Sequence, residues 1–207
     1  MPSRFVVRSV LDVQVLENGL GGWRLTERRL DVPYEKDYDH LEPPARWARQ
    51  WDLANWTILA AYEGESRARL GGAILTHRTP GVDLLEGRED LAALWDIRVH
   101  PMARGRCIGH QLFVAAVQAA REWGCRWLKI ETQNTNVGAC RFYAHQGCQL
   151  RGIHPGAYAE FPDEVQLLWY YDLANGPSPS PSLREHARGL PAAASVHTVR
   201  PSGRSPR

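Results

Sequence analysis

No stretch of the chain approaches the run of about 18 apolar residues that a membrane-spanning helix needs. Residues 1–15 are interrupted by Arg4, Arg8 and Asp12, so they lack the continuous apolar segment of a secretory signal. Cysteine is scarce: Cys107, Cys125, Cys140 and Cys148 are the only four, and none stands in a CxxC pair. Reduced thiols and a cytoplasmic location are the expectation. The eight histidines are scattered and show no ligand spacing such as HExxH, so no metal is expected. A net positive balance is missing from most of the chain as well. The formal net charge is +2, yet residues 174–207 hold five Arg and one Glu, which leaves residues 1–173 at −2. That larger part shows no basic face, which argues against nucleic acid as a partner, and nothing points to a membrane.

What is present is ordinary globular material, 43% hydrophobic and 23% charged in 207 residues, enough for one domain. Composition changes after Leu173. Residues 175–182 read Asn-Gly-Pro-Ser-Pro-Ser-Pro-Ser and open a tail with almost no large apolar residue. Such a tail cannot bury enough surface to offset its ordering entropy, so the expectation is a domain over 1–173 and a disordered extension over 174–207. Within the domain, strands are expected at 5–10, 23–30, 57–62, 69–77, 94–99, 126–131, 148–153 and 165–171. A charged loop covers 33–44, a short helix 45–53, and a second loop 80–90. Helical spacing is clearest over 106–123, where Ile108, Leu112, Ala115, Ala116, Ala119 and Trp123 share a face that Gly124 ends. A second helix is expected over 137–146, with Ala139, Phe142 and Tyr143 on one face and Gly147 as its cap. Hairpins early and βαβ units late indicate an α/β or α+β sheet of six or seven strands.

Residues 99–109 read Val-His-Pro-Met-Ala-Arg-Gly-Arg-Cys-Ile-Gly and join a strand to an amphipathic helix. A helix N-terminus offers unpaired N–H groups and the positive end of the dipole, which together form an anion site. Arg104 and Arg106 add charge there, and small residues suit close backbone approach. The alternative is an ordinary turn whose glycines serve geometry alone.

Two motifs favour the anion site. Val99, Pro101, Arg104 and Gly109, with Cys107 between them, resemble the pattern of the GNAT superfamily of N-acetyltransferases, and Asn136, Ala139, Phe142, Tyr143 and Gly147 resemble its Asn-x-x-Ala-x-x-Phe-Tyr helix. The chain resembles that superfamily over nearly all of residues 1–173. The resemblance implies a mixed, mainly antiparallel sheet with flanking helices and a central splay between two parallel strands. It also implies acetyl-CoA as co-substrate, contacted by Ile97, Val99, Arg104, Gly105, Arg106, Cys107, Ile108, Gly109, Asn136, Ala139 and Tyr143. Cys107 departs from the pattern, standing where the family usually has glycine. Its Cβ would meet an approaching pyrophosphate, and a helix N-terminus favours its thiolate.

Direct attack of a neutral amine on the thioester is the chemistry the resemblance implies, with Tyr143 as the acid for the leaving thiolate. An alkylamine has a pKa near 10, so a base must take its proton. Asp96, Glu131 and Glu164 are the candidates, directly or through water. By strand alternation Asp96 shares a face with Leu94 and Arg98, opposite Trp95, Ile97 and Val99. Its other reading is a structural pair with Arg98.

Longer words are more specific: residues 95–99 (Trp-Asp-Ile-Arg-Val), 131–136, 141–147, 168–173, and Lys36-Asp37-Tyr38-Asp39. Over roughly 34–173 they resemble the streptothricin acetyltransferase branch, which acetylates an amine of a cationic antibiotic. That implies a small cationic amine as acceptor, met by Asp37, Tyr38, Asp39 and Trp95, with Glu35, Asp37, Asp39 and Glu42 forming either an acidic rim or a plain solvated loop. Another small amine, a polyamine or a protein N-terminus is the alternative acceptor, and a non-catalytic acyl-CoA sensor the alternative class. A homodimer is compatible with the sequence.

Overall fold

The computed structural model describes residues 1–64, 66–176 and 194–199. All eight expected strands form, several of them longer than the sequence suggests. β1 (Phe5–Val15) and β2 (Trp23–Lys36) pair antiparallel as a sheet of their own. The expected loop at 33–44 therefore begins as strand and continues into one helical turn, α1 (Tyr38–Leu41). The expected helix at 45–53 shrinks to α2 (Trp47–Gln50), flanked by two 3-10 turns, because Trp47, Trp51 and Trp56 pack together and hold the chain in a compact coil.

β3 (Trp56–Tyr62), β4 (Arg69–His77), β5 (Leu91–Val99), β6 (Trp127–Gln133), β7 (Gln149–Pro155) and β8 (Val165–Asp172) belong to the main sheet. Its order is β7-β8-β6-β5-β4-β3-β9, with β9 (Ser195–Val199) on the edge. All neighbours are antiparallel except β5 and β6. The expected mainly antiparallel sheet is thus present with seven strands. β5 starts three residues before the expected position 94. Leu91, Ala92 and Ala93 are fully buried, and they alone pair with β6.

α3 (Ile108–Glu122) packs on the sheet through Ile108, Leu112, Phe113, Ala116, Val117 and Ala120. The buried stripe is thus rotated from the expected one: Phe113 sits at its centre and Trp123 is at its rim, stacked on His77. α4 (Val137–His145) buries Val137, Cys140 and Tyr143, leaving Ala139 and Phe142 half-covered. One large apolar cluster lies under the two helices, and a smaller one holds Trp47, Trp56, Val82, Leu85 and Ala93.

The tail departs from expectation over residues 195–199. They form β9 and pair with β3 from Ile58↔Val199 to Tyr62↔Ser195. Val196 packs against the main core. The short run Val-His-Thr-Val contains three β-branched residues, which suit a strand, and its signal is diluted by the surrounding Pro, Ser and Arg. The rest of the expected disordered tail, residues 177–193 and 200–207, lies outside the described residues.

Val196→Asp should detach this strand and lower stability by about 1–2 kcal/mol. Hydrogen exchange should quicken at β3 amides while β6 amides stay protected. Unchanged protection of β3 would show that β9 does not cover it in solution.

Candidate active site

β5 keeps its partner β4 to Val99, and β6 keeps β8 to Gln133, but the two share only the rungs Leu91↔Trp127, Ala92↔Leu128 and Ala93↔Lys129. Beyond Ala93 they part. The register of β4 and β5 slips between Ile74↔Asp96 and Leu75↔Leu94, so Trp95 is the extra residue of a bulge. A bulge bends a strand and sharpens its twist. It also overturns the expected alternation. Leu94, Ile97 and Val99 lie with the main core, while Trp95 joins Ala93 in the tryptophan cluster. The divergence opens a cleft of about 1300 Å³. One wall is residues 94–99 with Arg104 and Gly109 beyond, and the other is residues 131–133 with the start of α4. Residues of β1, β2 and α1 close the cleft on a further side.

At one end stands the N-terminus of α3. The preceding turn places Gly105 (φ 76°) and Cys107 (φ 58°) in the left-handed region, which is why the helix begins at Ile108 and not at 106 as expected. No side chain caps α3. The contrast with α4 is sharp, since there Asn136 Oδ1 accepts the Ala139 N–H at 3.1 Å. First-turn N–H groups without a cap, next to Arg104 and an unpaired strand edge, fit a pyrophosphate and an extended amide-bearing chain. Gly109 has an additional reason to be small: a Cβ there would lie 3.3 Å from the Phe142 ring, so the glycine lets α4 close on α3.

At the centre Tyr143 is 4% exposed, and burial holds its phenol well above the ordinary pKa. It lines the cleft, and its hydroxyl has no hydrogen-bond partner among the described residues. The three candidate bases line the same cleft with different partners. Asp96 meets Arg98 Nε at 2.8 Å, and Arg98 Nη1 also meets Asp39 at 2.7 Å. Burial raises the Asp96 pKa, with Arg98 pulling the other way. Glu164 is buried in an ion pair with Lys36. Glu131 has neutral partners, accepting from Tyr158 Oη at 2.7 Å and Gln166 Nε2 at 2.8 Å. Trp47 and Trp95 line the same cleft, their rings edge-on at 6.2 Å.

The profile of the Acetyltransferase (GNAT) family matches residues 23–148, more than half of the chain. The chain belongs to this family. Streptothricin acetyltransferase A of Bacillus subtilis (strain 168) is 27% identical over 161 residues, 77% of this chain and 84% of that protein. Streptothricin acetyltransferase of Escherichia coli is 27% identical over 173 residues, 82% and 86% of the two. Among solved structures, a candidate streptothricin acetyltransferase from Bacillus anthracis str. Ames, in complex with acetyl coenzyme A, aligns with TM-score 0.63 at 26% identity. It covers 82% of this chain and 87% of that one. Nourseothricin acetyltransferase aligns with TM-score 0.63 at 23% identity, covering 84% and 89%, and supports the fold. This GNAT protein is accordingly an acetyl-CoA-dependent N-acetyltransferase.

The cleft of this GNAT domain gathers many of the residues expected from sequence. Ile97, Val99, Arg104, Gly109, Asn136, Ala139 and Tyr143 line it, as do Tyr38, Trp95 and all three candidate bases. Others are elsewhere. Arg106 turns away to Glu63 at 2.9 Å, into a separate cavity of about 250 Å³. Ile108 is a core residue, leaving only its backbone for a ligand. Gly105 and Cys107 shape the turn through their backbone angles. Asp37 caps α1 and bonds Ser3 at 2.5 Å, and Asp39 is held by Arg98, so neither lines the cleft. The acidic rim is therefore built differently from the expected one, by Glu35 and Glu42 together with Glu131. Asn136 serves as helix cap, and its Nδ2 points to Tyr38 Oη at 3.4 Å. Sequence reasoning missed Lys36, Tyr158 and Gln166 as site residues. None belongs to a spacing pattern, and only folding brings them to the carboxylates.

Cys107→Gly should relieve the left-handed strain and raise unfolding free energy by about 1 kcal/mol in a urea titration. An unchanged or lower midpoint would refute the strain. Iodoacetamide should label Cys107 first in the native protein, and acetyl-CoA should slow that labelling. Cys125, Cys140 and Cys148 are buried and their thiols are raised by burial, Cys148 up to about 12, so thiolate is scarce. Peptide mass spectrometry showing equal labelling of all four would contradict this.

Proposed function

We propose that the protein acetylates a primary amine on a small polycationic acceptor of the streptothricin type. The observation that carries this reading is Glu131. It is the one of the three candidate carboxylates whose partners are both neutral, so its charge stays uncompensated beside the cleft. The two relatives named as streptothricin acetyltransferases support the choice of acceptor. Acetyl-CoA supplies the activated acyl group, and with it a cytoplasmic setting.

The chain's own residues then divide the work. Glu131 attracts the acceptor ammonium and takes a proton at its carboxylate, directly or through water, which leaves the amine nucleophilic. Tyr143 keeps its proton at Oη within the cleft, available to a leaving group. Asp96 and Glu164, each compensated by its own cation, shape the field and are not the base. Trp95 and Trp47, set edge to face, give the acceptor an aromatic wall that also attracts cations. Exposed Glu42 at the margin favours entry of a positively charged molecule, while Glu35 beside it is paired with Arg4 at 3.3 Å.

A thiol-release assay with acetyl-CoA and a panel of amines, streptothricin included, tests the reading. Turnover should be fastest with polycationic acceptors, and kcat should fall about 100-fold in Glu131→Gln and about 10-fold or more in Tyr143→Phe. CoA binding without turnover on any amine would overturn it. A fully active Tyr143→Phe would remove that residue from the acid's role.

A further inference from the structure

Lys36 is an unusual occupant of the cleft. It is 7% exposed, and its ammonium donates to both oxygens of Glu164, itself 8% exposed. Two aromatic rings flank it, with Nζ 5.3 Å from the centroid of Tyr38 and 5.3 Å from that of Phe161. All four residues line the cleft. Tyr38 is in turn fixed by its hydroxyl bond to Gln133. A carboxylate with aromatic faces on either side is the chemistry that recognises a primary ammonium. Here the chain supplies that ammonium itself.

We propose that Lys36 is an internal ammonium that occupies a cation subsite formed by Glu164, Tyr38 and Phe161, and thereby limits how many ammonium groups an acceptor can place in the cleft. The proposal rests on the reading of the cleft as an amine-acceptor site, but the subsite itself is defined by geometry. A purely structural pin between β2 and the segment before β8 would show the same ion pair. The two roles differ in what happens when the side chain is removed. A pin leaves a weakened fold, whereas a subsite leaves a vacancy that a free alkylammonium fills. Breaking a buried pair strands the remaining carboxylate, and that drives the refilling.

The test is Lys36→Ala, with Lys36→Met as the variant in which an apolar chain still fills the space. Propylammonium, compared with sodium at equal ionic strength, should raise the Tm of Lys36→Ala by about 3 °C and leave the wild type and Lys36→Met unmoved. This readout needs neither acetyl-CoA nor turnover. In the thiol-release assay, Lys36→Ala should shift kcat/KM in favour of a triamine over a diamine by about tenfold relative to wild type. No specific Tm shift in folded Lys36→Ala, or equal shifts in all three proteins, would overturn the proposal. Should Lys36→Ala fail to fold alone, refolding restored by propylammonium and not by sodium supports the subsite, and no restoration overturns it. Absence of amine turnover in the wild type would sink the acceptor reading alone, because the thermal shift is independent of it.

Discussion

A parallel strand pair normally gains stability from each further rung of hydrogen bonds, yet β5 and β6 stop after Ala93 and Lys129. The cleft follows from that early parting. Each strand stays fully satisfied on its other side, β5 by β4 and β6 by β8, so the sheet survives the gap. The bulge at Trp95 coincides with the parting and turns that side chain into the tryptophan cluster. Leu94, Ile97 and Val99 remain on the core beneath α3 and α4, which keeps the bent strand anchored. The result is an exposed backbone edge held rigidly, with an uncapped helix N-terminus at one end.

An opening of this kind collects polar groups in a poorly solvated place, where isolated charges are expensive. The protein compensates them one at a time. Arg98 lies between Asp96 and Asp39, and Lys36 neutralises Glu164. Among the three candidate bases Glu131 is the exception, since its two donors carry no charge. Tyr143 adds a proton that burial keeps in place. The same carboxylate type thus appears in three states within one cleft, set by partners and not by residue identity.

Much of this was legible in the chain. The helix over residues 108–122 announces itself by period, and the Asn136 to Tyr143 motif falls on α4 where its spacing requires. The central splay and the co-substrate came through family resemblance. The pairing of Asp96 with Arg98 was one of two readings that alternation allowed, and it is the one present. Other features could not be read. Alternation assumes an unbroken register, so the bulge at Trp95 reversed the assignment of faces. The family resemblance implied a rim that included Asp37 and Asp39, but Asp37 serves as a cap and Asp39 as an ion-pair partner. Composition averaged over a long tail hid the five residues of β9.

The sequence by itself determined the elements and the motif positions, because periodicity, capping and turn chemistry act over a few neighbouring residues. Tertiary structure alone decided which carboxylate is left without a cationic partner. Lys36 and Glu164 are 128 positions apart, and Tyr158 reaches Glu131 from a loop with no distinguishing pattern. Electrostatic compensation depends on distance in space and on shielding from water, and neither is encoded in local spacing.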